Sequence, residues 1–155
     1  MIPDFSYGEV FMADIVHLTL TGRQRTEEGE ETLTEITVES ECYTRAGSLY
    51  LLYQEPLDQN GSAAKCCIKL KDSVLEITKN GAVRTRMVFQ EGKEYLTDYA
   101  TPYGSMKMGI RTKKMEFLRE DERLDIRMEY SLTAQGEPFS HCIMEIMAHP
   151  LSKST

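Results

Sequence analysis

The chain has 155 residues, of which 41% are hydrophobic and 28% charged, and its net charge is −7. That length suits one domain with its own core and argues against two. No apolar stretch nears the roughly 20 residues of a membrane-spanning helix, and the opening MIPDFSYGEVF has an early acid and no basic region, so a cytoplasmic protein without a leader is expected.

Short runs of alternating apolar and polar residues follow one another along the chain. Strands are expected over residues 13–22, 32–43, 48–55, 63–71 and 73–79, then in a run through Val83, Met87 and Phe89 opposed by Arg84 and Arg86. Further strands are expected over 93–100, 105–112, 114–119, 123–134 and 138–148, which makes about ten or eleven in all. The clearest is 123–134, with Leu124, Ile126, Met128, Tyr130 and Leu132 on one face and Asp125, Arg127, Glu129 and Ser131 on the other.

Glycines 29, 47, 61, 81, 92, 104 and 136 separate these runs. Asn80-Gly81 is the strongest hairpin signal, because a type I′ turn needs positive φ at both central residues. Gln59-Asn60-Gly61-Ser62 and Gln90-Glu91-Gly92-Lys93 read as further tight turns, and no proline falls in a strand centre. An open sheet of ten strands would expose two long edges, so the expected fold is all-β, a single closed antiparallel meander barrel, with a two-sheet sandwich as the alternative. Residues 13–150 form that barrel, 1–12 an N-terminal extension and 151–155 a C-terminal tail.

LYLLYQE at 49–55, NGAVRTRMVFQEG at 80–92 and YATPYGSMKMGIRT at 99–112 resemble the YwiB-like domains of unknown function of Gram-positive bacteria. Those domains are similar in fold to the calycins, the barrel superfamily of lipocalins and fatty-acid-binding proteins. The likeness spans roughly residues 14–148 and includes LDIRMEYSL at 124–132. It implies a calycin-like barrel of bacterial type with no established ligand and no known catalytic residue. The extension, aromatic at Phe5, Tyr7 and Phe11, departs from the family; either it caps a barrel end or Met12 is the true start.

Charge is segregated. Residues 65–114 hold eleven Lys and Arg against five Asp and Glu, about +6, which leaves about −13 for the rest. Consecutive strands of a meander are neighbours, so Lys65, Lys69, Arg84, Arg86, Lys107 and Arg111, with Lys71 and Lys113, are expected to form a basic outer wall. Glu35, Glu39 and Glu41 belong to an acidic first hairpin. Such a surface suits an acidic protein partner or self-association. Overall acidity, the lack of tryptophan and the lack of aromatic residues interleaved with the wall argue against nucleic acid.

A ten-stranded barrel has room for a ligand. Met87, Met106, Met108, Met115, Met128, Met144 and Met147 offer pliable lining, and Tyr53, Tyr99, Tyr103 and Tyr130 offer hydroxyls. Ordinary core packing explains the same residues. Pro102 and Gly104 are expected to hold Tyr103 on a rigid corner, and Gly109 marks a bulge or a close approach by backbone or ligand. Arg111 points outward unless such a bulge shifts its register.

Catalytic groups do not assemble in the sequence. His17, His141 and His149 have no ligand spacing, and His141 and Cys142 are neighbours on opposite strand faces. The four cysteines show no CxxC pairing and are expected as free buried thiols. Glu39 and Glu41 read as a solvated strip rather than paired acids. No phosphate, dinucleotide or serine-nucleophile motif is present, and no cofactor or metal is implied. The reading is therefore a non-enzymatic barrel that binds an apolar or amphipathic small molecule. Its alternative is a packed barrel that uses the basic wall to bind a protein.

Overall fold

A computed structural model describes residues 15–55, 63–120 and 122–151. The N-terminal extension, residues 152–155 of the tail and the turn expected at Gln59–Ser62 lie outside them. Ten strands run in chain order: β1 (Ile15–Thr26), β2 (Glu31–Arg45), β3 (Ser48–Gln54), β4 (Lys65–Lys71), β5 (Val74–Asn80), β6 (Arg84–Phe89), β7 (Glu94–Thr101), β8 (Gly104–Glu120), β9 (Arg123–Ala134) and β10 (Glu137–Pro150). Each pairs antiparallel with the next, and β10 returns to pair with β1, with Leu18 opposite Ala148. The barrel is closed, so the edge that an open meander would expose is absent.

Alternation is what builds the wall. In β9, Leu124, Ile126, Met128 and Tyr130 are buried while the residues between them are half-buried or exposed. Each buried aliphatic side chain contributes about 1.5–3 kcal/mol, and these inward faces together make one core, from Val16 and Leu18 through Leu49, Ile68, Leu75 and Phe89 to Ile146.

Two local expectations are corrected. The strands expected at 105–112 and 114–119 are a single strand, β8, carrying one extra residue against β9: Thr112 faces Tyr130 and Lys114 faces Glu129. The insertion puts Thr112 and Met115 both inside, three positions apart, and this broken alternation looks like a strand break in sequence. The bulge therefore lies at Lys113 and not at Gly109. Asn80-Gly81 is no type I′ turn either, since neither residue has positive φ and residues 81–83 bridge β5 and β6. Gly81 is needed for closeness, because a Cβ there would lie 2.9 Å from the Ala64 side chain. Paired positive φ values occur instead at Ala46-Gly47 and Gln135-Gly136, each the turn of a two-residue hairpin.

The two ends of the barrel differ. The end carrying the turns at 46–47, 72–73 and 91–92 is packed solid by Val16, Leu49, Leu70, Leu75, Phe89 and Leu124. Toward the other end the inward positions are less covered: Ile36, Met87, Tyr99 and Met144 are half-buried and Thr34 is exposed. We call this less covered end the mouth. The wall is also uneven. β6 and β7 are joined in register at one pair only among the described residues, Arg84 opposite Ala100, whereas β7 and β8 are paired along all of β7.

Candidate functional site

The interior is lined largely by the residues expected there. Tyr53, Met108, Met128 and Tyr130 are buried on inward faces, and Met87 and Tyr99 are half-buried nearer the mouth. Tyr103 and Met106 do not join them. Tyr103 is 99% exposed and Met106 61% exposed, because the β7–β8 hairpin projects beyond Gly109, the last β8 residue paired to β9. Residues 104–107 are consequently exposed. Met147 is corrected too: it stands opposite Thr19 and Asp125 on the outer face.

Polar groups inside the barrel form two small sets. Burial pushes the Tyr53 and Cys66 hydroxyl and thiol up, with further raising by the Glu55 carboxylate. Burial does the same to Tyr130 and Cys142, with Cys142 also hydrogen-bonded to Tyr130 and 3.8 Å from Ser140 Oγ. All four stay neutral through the physiological range. The second set continues to Thr112, directly opposite Tyr130. Thr112 is 1% exposed, and its Oγ1 has no hydrogen-bond partner among the described residues. Phe89 packs edge-on against Tyr130 with ring centres 4.9 Å apart, so an aromatic pair floors this region.

A family described as a domain of unknown function (DUF1934) matches residues 18–146. The chain belongs to the DUF1934 family. The structure is similar to that of the ywiB protein from Bacillus subtilis, with a TM-score of 0.77 and 18% identity over 90% of this chain and 93% of that one. At that identity the likeness is one of fold. No match was found among curated proteins.

On the outside of this DUF1934 barrel the basic wall is interrupted. Arg86 donates from Nε and Nη2 to the two carboxylate oxygens of Glu76, both at 3.0 Å. Lys107 pairs with Asp98 at 3.2 Å and Arg111 with Glu94 at 2.8 Å. These acids come from the strands between the cations, β5 and β7, and so were hidden in a count of the whole segment. Lys65 and Arg84 flank Asn80 at matching register positions. Lys69 Nζ lies 5.8 Å from the centre of the Tyr50 ring, which stacks on Tyr43 at 4.9 Å. An aromatic pair therefore adjoins the wall at Lys69.

Two outer-face groupings of the DUF1934 barrel are not among those expected from the sequence. His141 is held between Ser131 Oγ, 3.0 Å from Nδ1, and Glu27 Oε1, 3.3 Å from Nε2. It borders a groove of about 290 Å³ lined by Arg23, Arg25 and Lys113. His141 and Glu27 are 59% and 55% exposed, so this is a screened surface clasp. Counting back from the Gln135-Gly136 turn would pair Ser131 with Ser140; a bulge at Phe139 shifts the register by one and sets His141 opposite Ser131 instead. The second grouping is His17 and His149, stacked at 5.1 Å. Only closure of the barrel brings them together, and nothing local in sequence signals it.

Proposed function

We propose that this barrel is a non-enzymatic binder of an apolar or amphipathic small molecule, seated between the packed core and the mouth. Its tail lies against Met87, Met108 and Met144, and its polar group is set toward Thr112 and Tyr130. The observation that carries this reading is Thr112 Oγ1, a buried inward hydroxyl without a partner among the described residues. Such a group costs about 1–3 kcal/mol unless something hydrogen-bonds to it, and a ligand oxygen does so. Half-buried methionines near the mouth favour the same reading, because they adapt to ligands of varied shape.

The β6–β7 seam, tied at one register pair, is the part of the wall that opens with least loss of backbone pairing. The interaction reading has less support, since Arg86, Lys107 and Arg111 are already matched by acids of this chain.

Displacement of a fluorescent fatty-acid probe tests the proposal. The parent protein is expected to bind the probe, and Thr112→Val to bind it several-fold more weakly while folding normally. No saturable binding by the parent, or equal binding by both proteins, contradicts it.

A further inference from the structure

We propose that His17, His149 and Glu39 form a surface site for a borderline divalent ion of the zinc class, independent of the barrel interior. In register, His17 of β1 stands directly opposite His149 of β10 on one side and Glu39 of β2 on the other. All three project from the outer face of adjacent strands, where opposed side chains start about 5 Å apart.

The imidazoles stand at a separation that one ion can bridge. Their ring centres are 5.1 Å apart with planes 30° from parallel. Two imidazoles on one tetrahedral ion, with bonds of about 2.0–2.1 Å, have ring centres about 5 Å apart. His149 Nδ1 lies 3.0 Å from the carbonyl oxygen of Pro150. A carbonyl only accepts, so Nδ1 carries the proton and donates it, which leaves the Nε2 lone pair for a metal.

No three His, Cys, Asp or Glu side chains among the described residues converge as a ready-made cage. The exposed Glu39 side chain reaches the ion by turning about its own bonds, and water fills the remaining position. The surroundings favour a cation: Glu41 and Glu35 share the outer face of β2, while Thr19, Thr37 and Met147 occupy the adjacent row. Two nitrogens and one carboxylate select zinc, nickel or copper over magnesium and calcium.

The test uses the full chain after chelator treatment, titrated with zinc by calorimetry and followed by imidazole NMR. One zinc per chain is expected at micromolar affinity, with shifts of the His17 and His149 signals but not of His141, and no competition from magnesium. His17→Ala and His149→Ala should each weaken binding about tenfold or more, and Glu39→Gln should weaken it less. The imidazole shifts of the parent protein make the result independent of how the variants fold. Zinc that shifts only His141, binds both alanine variants unchanged, or fails to bind the parent overturns the site.

Discussion

Glu94 and Arg111 face each other across β7 and β8, with Glu94 Oε1 accepting from Arg111 Nε at 2.8 Å. The other Glu94 oxygen accepts from Thr133 Oγ1 at 3.0 Å, and Arg111 Nη2 donates to the Gly136 carbonyl at 3.2 Å. Gly109 leaves the space in which this cluster sits: a Cβ there would lie 2.6 Å from Glu94 Oε2 and nearer still to Thr133 Oγ1. The close approach at Gly109 is thus made by two side chains and not by the backbone or ligand expected there, and it ties three strands and the β9–β10 turn together outside the barrel.

Gly109→Ala must push Glu94 and Thr133 apart. We expect a loss of about 1–3 kcal/mol, as for other overpacking changes. Urea unfolding should show a lower midpoint with an unchanged slope, and an unaltered midpoint would mean that the carboxylate moves freely.

Phe89 and Met87 lie two positions apart on the inward face of β6, but only Phe89 is fully buried. Phe89→Ala should cost about 3–5 kcal/mol. Met87→Ala should cost about 1 kcal/mol, because part of its surface already meets solvent. Equal costs would contradict the contrast between packed end and mouth.

Alkaline pH should weaken the barrel through its cysteine thiols. Cys66, Cys67 and Cys142 are raised above the ordinary thiol value of 9.0, chiefly by burial. Below that value both folded and unfolded chains hold the protons and nothing is lost. Above it the unfolded chain ionises first, so the contribution falls as pH rises toward the folded values. Urea midpoints should be flat from about pH 7 to 8 and decline above about pH 9, where a cysteine-free variant should decline less.

The seam makes a prediction about motion. Amides of β6 and β7 that face each other should exchange with deuterium faster than those of β9 and β10, which are paired along nearly their full length. Uniform protection around the barrel would remove the seam as an entry route.

The meander and its closure were legible because Leu124 to Tyr130 and their counterparts alternate without interruption, and glycine marks most joins. The bulge at Lys113 was not, since one inserted residue imitates a strand break. The positions of Tyr103 and Met106 depend on how far one hairpin overhangs its neighbour, a matter of stagger between strands that alternation does not encode. Pairings next to a turn, such as Ala134 with Glu137, can be counted from it, but Ser131 meets His141 only because of the bulge at Phe139. Those across the closure, such as His17 with His149, need the ring of strands to be complete.

Native mass spectrometry of the protein purified gently from its own host tests the central claim most directly, with the same sample repeated under denaturing conditions. The account predicts a reproducible added mass of a few hundred daltons that is lost on denaturation and reduced in Thr112→Val, as one small molecule held inside a barrel of this size requires. A bare chain mass, in protein that keeps its full stability, would contradict it.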